Sequence, residues 1–162
     1  FWITDMRPYM VMHPYRQELN NTNLSEYRDP DGKKLFVDAV EIVKNKSEGY
    51  IDYMWQWKDD TTQIVPKLSY VKAFVEWEWV IGTGVYLEDV QKEIQIGKEL
   101  FEHEKYNAVF RQFEKIQNQV DPKSELYSEA EFYKSVSALK AGHSSGGKYV
   151  DNFIADCDNN ND

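Results

Sequence analysis

Tyr50-Ile51-Asp52-Tyr53-Met54-Trp55-Gln56-Trp57, Lys67-Leu68-Ser69-Tyr70-Val71-Lys72-Ala73-Phe74-Val75 and Trp79-Val80-Ile81-Gly82-Thr83-Gly84-Val85-Tyr86 decide the fold. Each run is rich in aromatic and β-branched residues, the side chains that suit a half-buried pleated surface. The polar turn Lys58-Asp59-Asp60-Thr61-Thr62 separates the first run from the second, and Glu76-Trp77-Glu78 separates the second from the third, so the three read as an antiparallel meander. Pro66 stands immediately before the second run and is read as its start. Gly82 and Gly84 share one face of the last strand and leave it bare, so that a helix or a ligand can approach the backbone.

Toward the N-terminus, residues 1–5 and 9–13 read as two short strands, broken by Arg7-Pro8 and closed by His13-Pro14. The polar stretch Asn20 to Lys33 is a loop containing the turn sequence Asp29-Pro30-Asp31-Gly32. Leu35, Phe36, Ala39, Val40 and Val43 recur at helical spacing and predict an amphipathic helix over about 33–46, with Gly49 after its end. Beyond Tyr86 the period becomes helical throughout, through Val90, Ile94, Val109, Phe113 and Ile116, with Pro122 as a break. Ser128-Glu129-Ala130-Glu131 has the form of a capping box and predicts a further helix stopped by Gly142. His143 to Gly147 reads as a flexible linker, followed by a short helical patch and an acidic tail.

The chain of 162 residues suits one domain with an appendage, and its 15% aromatic content excludes a disordered chain. Its net charge of −9 and scattered basic residues lack the electrostatic footprint of a nucleic-acid-binding protein. Cys157 is the only cysteine, so no intrachain disulfide forms. No apolar run is long enough to span a membrane.

Trp2-Ile3-Thr4-Asp5, Met10-Val11-Met12-His13-Pro14, Leu19-Asn20, Leu24-Ser25, Asp29-Pro30-Asp31-Gly32-Lys33, Leu35-Phe36, Tyr53-x-Trp55, Pro66 to Lys72 and Trp79 to Tyr86 together resemble the single Cache domain, type 2, in order and spacing from residue 1 to about 90. The resemblance implies an α+β fold: a PAS-like antiparallel sheet with flanking helices, followed here by a helical C-terminal extension. The expected organisation is a ligand-binding domain over 1–90, a helical extension over 91–141, and a linker with an acidic tail over 142–162. The resemblance further implies an extracytoplasmic location and a non-enzymatic role, sensing a small molecule such as a short carboxylate in chemotaxis or signal transduction. No cofactor is expected.

Within that frame, Lys67 offers an ammonium to an anionic ligand, against the plainer reading of a solvated strand-end lysine. His13 offers a ring nitrogen to a carboxylate oxygen and would make affinity fall as pH rises, or is a turn histidine satisfied by backbone. Tyr53 and Trp55 point to one face and supply a hydroxyl and an indole wall, with core packing as the competing role. Trp2 in the first strand and Tyr70 complete the candidate ligand-binding set, although Tyr70 alternates to the face opposite Lys67.

Members of the family carry a long helix before the first strand, whereas this chain opens within that strand; the expectation is that a preceding segment is absent from this sequence, or that the helices at 87–140 or another subunit cover the sheet. No catalytic motif or histidine-based metal spacing is present. Asp156, Asp158, Asn160 and Asp162 have the alternation of a calcium loop, but Asn161 stands where glycine is needed and no bidentate glutamate follows, which favours a plain acidic tail. The alternative to a sensing domain is a structural or assembly subunit that keeps the fold without a working pocket.

Overall fold

The computed structural model of the chain describes residues 1–159. Two compact units divide it, Phe1–Glu88 and the residues from Asp89 onward. The first contains β1 (Trp2–Asp5), β2 (Met10–Met12), α1 (Leu35–Lys46), β3 (Glu48–Trp57), β4 (Asp60–Phe74) and β5 (Trp79–Tyr86). Its five strands form one sheet in the order β2-β1-β5-β4-β3, with every neighbouring pair antiparallel.

Register decides which side chains meet. Tyr53 pairs with Lys67, Lys67 with Tyr86, Ser69 with Gly84, and Gly82 with both Val71 and Trp2. Because alternate residues share a face, Trp2, Thr4, Val80, Tyr86, Lys67, Ser69, Val71, Ile51, Tyr53 and Trp55 all stand on one side, the inner face. Tyr70, Lys72, Phe74, Ile81 and Thr83 stand on the other. α1 lays Leu35, Phe36, Ala39, Val40 and Val43 into the core cluster that includes Trp2, Tyr53 and Trp55.

Two local details differ from the sequence reading. α1 is stopped by Ser47 at φ 66°, whose N–H donates to Val43 O at 2.9 Å, rather than by Gly49, which already belongs to β3. A Cβ on Gly49 would lie 2.7 Å from Ile42 Cγ2, so the glycine serves the packing of the helix. Pro66 lies inside β4 rather than at its start. Met54, opposite Pro66, donates its N–H to Asp29 Oδ2 at 2.9 Å, away from β4, so the two form a non-hydrogen-bonded pair. The proline nitrogen therefore points toward the β5 side, where pairing begins only at Lys67, and no ladder bond is lost.

The loop before α1 seals the free edge of the sheet. Asp29 N donates to Lys33 O, Gly32 N to Asp29 O, and Lys33 N to Asp29 Oδ1, which closes the Asp-Pro-Asp-Gly turn around Gly32 at φ 85°. The turn is then fastened to β3 by Met54 N on Asp29 Oδ2 and by Lys33 Nζ on Asp52 O. These bonds occupy edge groups that would otherwise invite another strand.

The second unit is helical. It comprises α2 (Leu87–Glu102), which starts at the end of the first unit, α3 (Tyr106–Gln117), α4 (Glu125–Lys140) and α5 (Gly146–Asn159). Phe113 packs where Gly97 has no side chain, since a Cβ there would lie 2.5 Å from its ring, and Phe113 stacks on Tyr133 at 4.9 Å. Ion pairs Lys115–Glu93 and Lys98–Glu129 join these helices. The cap of α4 is Ser124, whose hydroxyl accepts from Tyr127 N, and not Ser128, which lies a turn inside the helix. The expected linker at 143–147 is a turn that opens α5, with Gly146 N donating to His143 O and the His143 ring bonded to Asn107. Asp156 is exposed in α5, so that position is helical rather than part of a calcium loop; the side chain of Asp158, and Asn160 and Asp162, lie outside the described residues. Among the described residues no group of acids, histidines or cysteines is arranged to hold a metal, and no helix is long and apolar enough to cross a membrane.

Candidate functional site

One end of the inner face gathers the polar side chains. β4 supplies Lys67, β3 supplies Tyr53, Trp55 and Gln56, β5 ends on Tyr86, and the segment after β2 supplies His13 and Arg16. The ammonium of Lys67 sits over the ring of Tyr86 at 5.0 Å. Among the described residues no carboxylate lies within salt-bridge distance of it. Burial lowers its pKa from the ordinary lysine range to about 8.

His13 is buried, and its ring packs on Trp55 with 5.3 Å between centroids. Its Nδ1 accepts from two backbone donors, Tyr15 N at 3.2 Å and Arg16 N at 2.9 Å. That nitrogen is therefore unprotonated, the ring is neutral, and the proton resides on Nε2. Burial, then the nearby charges of Lys67 and Arg16, lower its pKa to about 4. The expectation that His13 makes affinity fall through the neutral pH range is thus corrected: the ring is a neutral N–H donor across that range.

Arg16 reaches the same cluster. Its guanidinium lies over Trp55 at 5.9 Å, donates to Gln56 Oε1 at 3.2 Å and pairs with Glu18. Gln56 is held in turn by its own donation to Lys58 O at 2.7 Å. Two cations, Lys67 and Arg16, thus lie close enough to the neutral His13 ring to act on it, in a chain of net charge −9.

Trp55 is the hub, with ring contacts to His13, Tyr27, Phe36 and Tyr53. Its Nε1 is buried and has no hydrogen-bond partner among the described residues, an open donor on the site's own wall. The Tyr53 hydroxyl shares a 2.8 Å hydrogen bond with Ser69 Oγ, and burial pushes its pKa up to about 12, so it remains protonated. A cleft of about 130 Å³ is lined by Tyr53 and Lys67 together with Asp29, Asp31, Lys33 and Asp52.

Of the candidate set, His13, Tyr53, Trp55 and Lys67 are brought together. Trp2 shares their face but fills the depression over Gly82, where a Cβ would lie 2.2 Å from its indole, and meets Phe36 edge-on at 5.5 Å. The bare face left by the glycines is therefore occupied at Gly82 by a core tryptophan. Tyr70 is on the opposite face, against Tyr50 at 5.2 Å, and does not belong to the cluster. The sequence reading missed Arg16 and Gln56. Arg16 had one usable signal, a lone cation close behind His13-Pro14; Gln56 had none, because its contact with Arg16 spans 40 residues.

Comparison with known proteins identifies the family. The family model of the Cache domain matches residues 1–140, reaching past the residues 1–90 that carry the sequence resemblance. The chain is 42% identical over 93 residues to the methyl-accepting chemotaxis protein McpP of Pseudomonas putida, covering 57% of this chain and 17% of that protein. It is 38% identical over 90 residues to the sensor histidine kinase MctS of Rhizobium johnstonii, covering 56% and 19%. The matched part is thus about a fifth of the length of these curated relatives. Among solved structures, a periplasmic sensor domain of a chemotaxis protein is similar at a TM-score of 0.51 with 44% identity, covering 52% of this chain and 58% of that one. A Cache chemosensory domain studied for carboxylic acid recognition is similar at a TM-score of 0.51 with 41% identity, covering 52% and 57%. With the five-stranded antiparallel sheet, the helix on its inner face and a family match over most of its length, this chain belongs to the Cache domain family.

Proposed function

We propose that the chain is an extracytoplasmic small-molecule sensing module whose inner-face site takes the carboxylate of a short organic acid. The observation that carries this reading is Lys67, a half-buried cation with no carboxylate in salt-bridge range among the described residues. An unpaired buried charge is costly, and an anion bound beside it relieves that cost. The neutral His13 ring, donating from Nε2, and the Arg16 guanidinium add donors suited to the same anion. Trp55 contributes an apolar wall and an open N–H to the cluster, and the cleft of about 130 Å³ that Lys67 and Tyr53 line suits a ligand of few heavy atoms. The carboxylic acid recognition of the similar Cache chemosensory domain, and the receptor and kinase roles of the similar full-length proteins, support the same class of ligand and an output through partner domains.

Calorimetric titration against acetate, propionate and longer monocarboxylates tests the reading. A binding signal for at least one of them, reduced about a hundredfold or more in Lys67→Ala, is the expected result. A flat response to the whole panel, or full binding in the variant, overturns it.

A second reading, an assembly subunit, is favoured by the opposite face, where Phe1, Tyr70, Phe74 and Ile81 border an apolar cleft of about 260 Å³. Sedimentation then finds an oligomer that forms without any small molecule and dissociates in Phe74→Glu.

A further inference from the structure

The cleft beside Lys67 is also lined by Lys33 and by three acids, Asp29, Asp31 and Asp52. These acids are not equivalent. Asp52 is paired with Lys33 at 3.1 Å, so the two charges largely cancel. Asp29 is buried, and its two carboxylate oxygens accept the backbone N–H groups of Lys33 and Met54, which commits it to fastening the turn. Asp31 is different: it is exposed, it has no cation in salt-bridge range among the described residues, and it is held at the cleft by a turn closed at both ends. Its charge is therefore left uncompensated at a cleft that Lys67 also lines.

We infer that Asp31, presented by the Asp29–Lys33 turn, is a specificity-determining residue that restricts the site to organic acids with a single ionised carboxylate. This rests on the carboxylate reading of the Lys67 site. A monocarboxylate directs its one charge toward Lys67 and leaves an uncharged end beside the acids of the same cleft. A dicarboxylate of the same length brings its second charge to Asp31, where no free cation compensates it and like charges repel. Because Asp31 is open to water, the repulsion is moderate and weakens with salt.

Propionate and malonate, alike in length and differing by one carboxylate, are the probes, and the ratio of their dissociation constants is the readout. Titration of the full chain is expected to give malonate a dissociation constant about tenfold or more above that of propionate at low salt. Asp31→Asn is expected to shrink the ratio about threefold, Asp31→Lys to shrink it further, and high salt to shrink it in the parent chain. A ratio near unity in the parent chain, or one unmoved by both substitutions, overturns the inference while leaving the carboxylate site standing. Absence of any propionate binding in the parent chain overturns the carboxylate site itself, and the selectivity with it.

Discussion

Lys67 and Tyr70 lie on one strand, yet they belong to different environments. The face of β4 that carries Lys67 is closed by α1, by the His13 segment and by the Asp29–Lys33 turn, so a cation there is stripped of water and left wanting a counter-charge. The face that carries Tyr70 meets Tyr50 and an apolar cleft, and its ionisable groups, Lys72 and Glu48, simply pair with each other at 2.6 Å. The same strand thus presents an unpaired charge on one side and a paired one on the other. What separates the two is desolvation, and experiments that alter desolvation or charge on one face should leave the other unaffected.

The largest effect is expected from Trp55→Ala, which removes the hub of the inner face and should cost about 3–5 kcal/mol of stability in denaturant unfolding. Phe74→Ala on the other face, where the side chain is 37% exposed, should cost about 1 kcal/mol or less. Equal losses would mean that the two faces are packed alike.

Acid should reveal the buried imidazole. The pKa of His13 is near 4 in the folded chain and near 6.5 when unfolded, so the unfolded state takes up the proton first as pH falls. Its contribution is intact above pH 6.5 and lost toward pH 4, a change of roughly 3 kcal/mol. His13→Asn, whose amide oxygen offers Tyr15 N and Arg16 N an acceptor, should flatten this limb of the stability profile. An identical acid limb in the variant would mean that the imidazole is not responsible.

The smallest effect concerns affinity in alkali. If the ammonium of Lys67 receives the ligand, anion binding should be level between pH 6 and 7 and weaken about tenfold per unit above pH 8, as the amine loses its proton. Tyr70→Phe should leave that profile unaltered, since its hydroxyl is on the far face. Level binding through pH 9.5 would assign the anion to Arg16 instead, whose charge does not titrate there.

The alternation in β3, β4 and β5 made the sheet and its faces legible, because a period of two is set by the backbone and not by distant partners. That alternation also separates Tyr70 from Lys67 in the sequence itself. Other features depended on contacts far apart in sequence. Arg16 acquires its role only when the segment after β2 folds onto Trp55 and Gln56, and the low pKa of His13 needs burial together with Lys67, which lies far from it in sequence. The cap of α4 is hidden in the sequence because Ser128-x-x-Glu131 fits the capping box and Ser124-x-x-Tyr127 does not, yet Ser124 follows the break at Pro122 and caps the helix. The opening of α5 was hidden because paired glycines suggest a linker, whereas a turn bond to His143 starts a helix there.

Pro66 ties these threads to folding. Sliding β4 by a single position against β3 would carry the ring nitrogen of Pro66 into a hydrogen-bonded site of the ladder, where it has no proton to give, and would turn Lys67 outward and Tyr70 inward. The imino acid immediately before the lysine therefore acts as a registration pin: it penalises the misaligned hairpin in which the binding side of the strand would be the wrong one.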